Sequence, residues 1–176
     1  MHNIFIATST FAVHSNEPII KLEDGGEAIA LNSSFRKVTS EELIKYAYDS
    51  TGIIAGTELY TKEVLEQLPN LKVISRLGVG MDNIDLEFTK EKGIKVFKTK
   101  TTPAPAVAEL VLGLMLDLAR KISYQNNILK SGTWKKEMGN LLYGKTLGII
   151  GLGTIGKTLV NLVKGFNFKI MAFDMF

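Results

Sequence analysis

The chain has 176 residues, of which 45% are hydrophobic and 22% charged, and these values are typical of a globular protein of one or two domains. Its net charge is +3, and the lysines are spread along the chain rather than gathered in a basic patch, so we expect no nucleic-acid partner. Cysteine is absent, which fits a cytoplasmic location, and no apolar stretch is long and uncharged enough to predict a membrane span.

Short apolar runs alternate with helical patterns over the first hundred residues. Strands are expected at residues 3–7, 28–31, 52–55, 71–75 and 94–97. Helices are expected from Glu17 to the glycines at 25 and 26, after a cap at Thr39 or Ser40, from Thr61 to Pro69, and between Asp85 and Gly93. This alternation is typical of a parallel α/β sheet, and five strands in this length predict a flavodoxin-like domain over residues 1–100.

A second domain or part-domain is expected over residues 101–176. Residues 99–105 have the composition of a linker, and helices are expected at 106–121 and near 124–130. A strand at 146–150, a helix at 154–164 and a strand at 169–173 then form one βαβ unit. This arrangement predicts the first half of a Rossmann domain.

The helix expected at 106–121 is apolar around most of its circumference. Its polar side chains, Glu109, Asp117 and Arg120, fall within about 80° on a helical wheel of 3.6 residues per turn. Such a helix must be covered on several sides. Either it lies at a domain or subunit interface, or it is a central core helix.

A glycine-rich loop connects the strand at 146–150 to the helix that follows. Gly151 allows the tight turn, Gly153 lets the backbone approach a pyrophosphate, and Gly156 lets the helix pack closely on the strand. The backbone N–H groups of Thr154 and Ile155 lie at the positive end of the helix dipole. The pattern predicts dinucleotide binding, and the alternative is a plain strand-to-helix turn.

Asp174 stands at the end of the next strand, eighteen residues after Gly156. A carboxylate at that position accepts hydrogen bonds from ribose hydroxyls and repels a 2′-phosphate, so we expect NAD as cofactor in preference to NADP. The alternative is an exposed carboxylate without this role.

A second loop, residues 76–85, follows the fourth expected strand. The N–H groups of Val79 and Gly80 are candidates for binding a substrate carboxylate, and Arg76 for a charge-assisted bond to it. Spacing alone favours the alternative, a local turn in which Asp82, Asn83 and Asp85 act as caps.

Catalytic residues that could act with such a cofactor are harder to find. Proton transfer near neutral pH needs a donor, for which histidine is well suited. Only His2 and His14 are present, and we interpret both as surface residues. The sequence predicts no catalytic residue and no metal site.

Several stretches, in this order, resemble the D-isomer-specific 2-hydroxyacid dehydrogenase family, especially its D-3-phosphoglycerate dehydrogenase-like members. They are ISRLGVGMDNIDL (74–86), AVAELVLGLMLDLAR (106–120), GKTLGIIGLGTIGK (144–157) and AFD (172–174). The resemblance implies an NAD-dependent oxidoreductase that interconverts a D-2-hydroxy acid and a 2-keto acid. It also implies substrate contact at Val79 and Gly80, cofactor contact at Thr154, Ile155 and Asp174, and a homodimer formed through the 106–121 helix.

The chain also departs from the family pattern. Thr154 stands where the family often has arginine or asparagine, and the later segment that carries the family's catalytic Arg, Glu and His has no counterpart. We therefore expect a fragment, or a truncated gene product, that is inactive alone. The alternative is a non-catalytic module that dimerises or binds a nucleotide or anion, or the product of a decayed gene.

Overall fold

The computed structural model describes residues 3–175, and these divide into two compact units between Thr101 and Thr102. Each unit has its own hydrophobic core. His2 lies outside the described residues.

Within residues 3–101, five parallel strands form one sheet in the order β2-β1-β3-β4-β5. The strands are β1 (Asn3–Ile6), β2 (Ala28–Leu31), β3 (Gly52–Ala55), β4 (Val73–Arg76) and β5 (Lys95–Lys98). This is the strand order of flavodoxin-like folds, so the α/β class expected for this part of the chain is confirmed.

Helices connect these strands: α1 (Glu17–Asp24), α2 (Ser40–Ala47), α3 (Lys62–Leu65) and α4 (Leu86–Glu91). Thr39, rather than Ser40, caps α2, because its side chain accepts a hydrogen bond from the Glu42 N–H. Asp85 caps α4 in the same way, through the Phe88 N–H at 2.9 Å. Both caps satisfy N–H groups that a helix start leaves without partners.

The core of the N-terminal unit is built across the sheet. Phe5, Ile53 and Ile74 pair in register on β1, β3 and β4, and each side chain is at most 1% exposed. Burial of a side chain of this size contributes about 1.5–3 kcal/mol. These three aligned side chains fix the register of the strands. A strand that slipped by one residue would turn its buried side chain to the other face of the sheet.

Within residues 102–175, two parallel strands and their helices form the second unit. The elements are α5 (Ala104–Arg120), α6 (Ile122–Lys130), β6 (Thr146–Ile150), α7 (Thr154–Leu162), a 3-10 turn (Lys164–Phe166) and β7 (Lys169–Phe173). Ala108 on α5 packs with Leu159 and Val163 in the core of this unit. The expected βαβ connection is therefore present.

Several expected boundaries were wrong, including the end of α7 (Leu162, expected at 164) and both ends of β5, and three others have clear physical reasons. Helix α3 is a single turn that ends at Leu65, after which the N–H groups of Gln67 and Leu68 donate three residues back, to Val64 and Leu65, as in turns. Strand β4 begins at Val73 because Leu71 still belongs to the preceding turn, where its N–H donates to Leu68. Helix α5 begins at Ala104, inside the expected linker, because proline is tolerated in a first helical turn.

Candidate functional site

The glycine-rich loop lies between β6 and α7, as expected. Gly151 has φ +92°, a region that side chains rarely adopt, and its N–H donates to the Phe173 carbonyl at 2.7 Å. The turn therefore needs glycine for its backbone shape and is attached to the neighbouring strand β7.

Gly153 and Gly156 differ in how much space surrounds them. A Cβ added at Gly153 would meet no heavy atom within 4 Å, whereas one at Gly156 would lie 2.6 Å from the Gly151 carbonyl oxygen. Gly156 thus permits close packing of α7 on the loop, and Gly153 leaves open space in front of it. These are the features that a phosphate cradle requires.

The start of α7 supplies hydrogen-bond donors to that open space. Gly153 is the N-cap, with no side chain to bond the first N–H groups, and Thr154 and Ile155 follow in the first turn. Helical bonding at this end begins with the Lys157 N–H, which donates to the Gly153 carbonyl at 2.9 Å. N–H groups at a helix start, with the dipole behind them, favour a bound anion.

Asp174 lies at the same loop. Its Oδ2 accepts a hydrogen bond from the Leu152 N–H at 2.5 Å. The structure therefore brings together the six residues predicted to bind cofactor, which are Gly151, Gly153, Thr154, Ile155, Gly156 and Asp174.

The second candidate loop follows β4 in the N-terminal unit. Val79 and Gly80 are exposed, as backbone groups that meet a ligand must be. Arg76 folds back on its own loop: its guanidinium donates to the Leu77 carbonyl and, through Nε, to Asn83 Oδ1 at 3.4 Å. An ion pair with a substrate would require the guanidinium to turn outward from this arrangement.

Sequence reasoning missed the residues that hold this loop in place. Thr99, in the expected linker, accepts the Gly78 N–H on its Oγ1 at 3.1 Å and donates its own N–H to the Gly78 carbonyl at 3.0 Å. Asn83 donates from its side-chain amide to the Glu58 carbonyl at 2.6 Å. No local pattern indicates these contacts, because the partners lie more than 20 residues apart in the chain.

Glu58 and Tyr60 form a buried polar pair beneath the same loop, and they are 3% and 0% exposed. The Tyr60 hydroxyl donates to Glu58 Oε2 at 3.5 Å. Burial, and then the charge of Glu58, raise the pKa of Tyr60 above its ordinary value.

The described residues offer few side chains suited to catalysis or metal binding. His14 is exposed and lies before α1. Among residues 3–175, no cluster of three or more His, Asp or Glu side chains is arranged to hold a metal ion. No helix in the same range has the length and apolar character needed to cross a bilayer.

The comparisons with known proteins agree with the geometry. Residues 11–167 match the model of the D-isomer specific 2-hydroxyacid dehydrogenase catalytic domain. A hydroxypyruvate reductase from Thermotoga maritima is 40% identical over 172 residues, which are 93% of this chain and 55% of the relative. A D-3-phosphoglycerate dehydrogenase from Methanocaldococcus jannaschii is 43% identical over 164 residues, 90% of this chain and 30% of the relative.

Solved structures give the same result. The NAD+-bound 3-phosphoglycerate dehydrogenase of Entamoeba histolytica superposes with a TM-score of 0.73 at 28% identity, covering 99% of this chain and 54% of that one. The chain thus spans about half or less of the length of these relatives. The family match covers most of the sequence, and the chain belongs to the D-isomer-specific 2-hydroxyacid dehydrogenase family.

Proposed function

We propose that this protein interconverts a D-2-hydroxy acid and a 2-keto acid with NAD. The observation that carries the proposal is the open loop at 151–156, which presents helix N–H groups beside the Asp174 carboxylate. When bound, NAD supplies the acceptor for the hydride that leaves C2 of the hydroxy acid. Residues 1–100 then correspond to a substrate domain, and 101–176 to interdomain helices with the first half of an NAD domain.

The cofactor site uses each group differently. The N–H groups of Thr154 and Ile155 bind the pyrophosphate, and the absence of a side chain at Gly153 lets it approach. Asp174 accepts hydrogen bonds from the adenosine ribose and excludes a 2′-phosphate by charge repulsion. The Entamoeba relative is a complex with bound NAD+, which supports this choice of cofactor.

The substrate is a small 2-keto or 2-hydroxy carboxylate. Val79 and Gly80 present backbone groups for its carboxylate, and Arg76 provides a cation at the end of β4. The names of the relatives, hydroxypyruvate reductase and D-3-phosphoglycerate dehydrogenase, favour hydroxypyruvate or 3-phosphoglycerate among such acids.

Proton transfer needs a donor beside the reacting carbonyl oxygen, and neither candidate loop contains a histidine. We infer that these 176 residues bind ligands but do not alone turn over a 2-keto acid.

Replacement of Asp174 by asparagine tests the cofactor assignment. Asp174→Asn keeps an oxygen that can accept the Leu152 N–H but removes the charge, so NADH should bind about tenfold more weakly while NADPH binds no worse. Calorimetry with both cofactors measures the ratio. An unchanged preference in the variant, or tighter NADPH than NADH binding by the original chain, would contradict the assignment.

A further inference from the structure

We propose that Asn83 is a positioning residue for the substrate site. It joins the loop after β4 to the turn after β3 and thereby sets the orientation of Arg76 and of the Val79 and Gly80 amides. This inference rests on the proposed function, because the site that Asn83 orients is the one assigned to the substrate carboxylate. We call its hydrogen bonds to Gly56, Glu58, Tyr60 and Arg76 the Asn83 clamp.

The first part of the clamp consists of bonds to the turn after β3. Asn83 Nδ2 donates to the Gly56 carbonyl at 3.2 Å and to the Glu58 carbonyl at 2.6 Å, and both bonds are partly buried. The Asn83 carbonyl accepts the Tyr60 N–H at 2.8 Å. Three bonds therefore hold one residue of the substrate loop against a segment more than 20 positions earlier in the chain.

The second part of the clamp reaches Arg76. Asn83 Oδ1 accepts its Nε–H at 3.4 Å, while the guanidinium also donates to the Leu77 carbonyl. The guanidinium lies over Gly78, where an added Cβ would be 2.8 Å from its Cζ. Asn83 thus fixes Arg76 in the inward arrangement. Because the guanidinium must leave this arrangement to pair with a substrate, the clamp improves affinity through the ordered Val79 and Gly80 amides and not through the Arg76 charge.

The turn to which Asn83 binds is itself fixed. The buried Glu58 carboxylate accepts the Gly56 N–H at 2.7 Å, and the Tyr60 hydroxyl lies 3.5 Å from the same oxygen. A partner that is already ordered does not lose further freedom when the substrate binds. Preorganisation of this kind improves affinity by lowering the entropy cost of binding.

Asparagine suits this place because its amide offers two donors and one acceptor at fixed angles. Asn83→Leu keeps the approximate size and removes all three functions. Asn83→Asp keeps the shape and the acceptor for Arg76 but removes both donors, and it replaces Asn83→Leu if that variant does not fold. Asn70→Leu, at an exposed position before β4, is the matched control.

The first measurement uses the ligand-free, ¹⁵N-labelled 176-residue chain. In Asn83→Leu the Arg76 Nε–H resonance should move, and the heteronuclear NOE of Val79 and Gly80 should fall, while the resonances of α2 stay in place. In Asn83→Asp the NOE should fall but the Arg76 resonance should move less. Unchanged Val79, Gly80 and Arg76 signals in both variants would overturn the clamp whether or not any ligand binds.

The second measurement adds hydroxypyruvate as the probe. The original chain and Asn70→Leu should show saturable shifts at Val79 and Gly80, and Asn83→Leu should need at least tenfold more hydroxypyruvate for the same shift. Equal affinity in Asn83→Leu would overturn the positioning role. If Val79 and Gly80 of the original chain do not respond to hydroxypyruvate, the proposed substrate site is contradicted. The ligand-free spectra test the clamp separately, so the two failures can be distinguished.

Discussion

The three glycines of the 151–156 loop meet different physical demands. Gly151 provides a positive φ, Gly156 leaves room for the Gly151 carbonyl, and Gly153 meets nothing at all within 4 Å. The first two demands come from the folded chain itself. Among these three, only Gly153 lacks a structural reason in the folded chain, and the proposed pyrophosphate would supply one.

Gly153→Ser separates stability from binding. Serine is a favoured N-cap residue and φ −70° suits it, so the free energy of unfolding should stay within about 0.5 kcal/mol of the original or rise. Its side chain would occupy the cradle and bond the helix N–H groups, so NADH affinity should fall at least tenfold. Urea unfolding and calorimetry measure the two effects.

The control for that change is Gly148→Ser, since an added Cβ at Gly148 also meets open space but lies in the middle of β6. It should leave NADH binding unaltered. Undiminished binding by Gly153→Ser would mean that the open space in front of α7 is not a phosphate site.

At the residue scale, the sequence identified groups that act through local spacing and missed those that act through long-range contacts. The glycine spacing and Asp174 were recognisable because a strand, a turn, a helix and a strand follow one another directly. Asn83 was read as part of a local turn, and Glu58 and Thr99 were not singled out, because their partners become neighbours only in the folded sheet.

Several side-chain hydrogen bonds fix the position at which α2 begins. Thr39 and Glu42 form a capping box, in which the Glu42 carboxylate accepts the Thr39 N–H at 2.9 Å. Arg36 donates to the same carboxylate at 2.8 and 2.5 Å. The hydrogen bond from Arg36, and then that from Thr39, lower the pKa of Glu42 from its ordinary 4.5 to about 2.

This pKa predicts a pH dependence of stability. A carboxyl whose pKa is lowered by folding stabilises the native state above its unfolded pKa, and that contribution is lost as the pH falls from about 4.5 to about 2. Unfolding of the original chain should therefore become easier over this range by a larger increment than unfolding of Glu42→Gln. Urea titrations by circular dichroism at several pH values measure the difference.

Glu23→Gln, at an exposed position on α1, is the control and should follow the original chain. Parallel pH curves for Glu42→Gln and the original chain would show that the capping box does not carry the expected charge effect.

At the element scale, strands were easier to place than the ends of helices. Residues 28–31, 52–55, 146–150 and 169–173 were predicted as the structure has them, since glycines and polar turns border these apolar runs. Helix α5 begins earlier than expected because prolines suggested a linker although they fit a first helical turn. Its other end was nearly right, because Lys121 adopts φ +55° and separates α5 from α6.

At the scale of the whole molecule, the sequence left open whether the apolar surface of α5 lies at an interface or in a central core. Leu110, Leu114 and Leu118 are 62%, 53% and 80% exposed, while Ala104 and Ala108 on the same helix are buried. The helix is therefore only partly covered by the described residues, which favours the interface interpretation over a central core helix. We propose that a second copy of the chain covers these leucines.

Leu114→Glu tests that proposal. A charge in the middle of a buried interface is costly, so the variant should be monomeric at concentrations where the original chain is a dimer. Sedimentation equilibrium measures the change. Leu31→Glu, at an equally exposed leucine on β2, should not alter the association; a monomeric original chain at all accessible concentrations would rule out the dimer.

Alternation of strands and helices was enough to predict the fold class of the whole chain, because parallel strands need crossover connections and these were visible as helical patterns. It was not enough to choose a substrate, because the loop after β4 is proposed to bind a carboxylate through backbone groups, which carry no sequence signature.

The central claim is that the loop at 151–156 is a binding site for a dinucleotide. The most direct test is titration of the ¹⁵N-labelled 176-residue chain with NAD, followed residue by residue in NMR spectra. We expect saturable shifts of the Gly153, Thr154 and Ile155 amides, at lower concentrations for NAD than for NADP. A folded chain in which these amides do not respond to NAD, or respond equally to NADP, would contradict that claim.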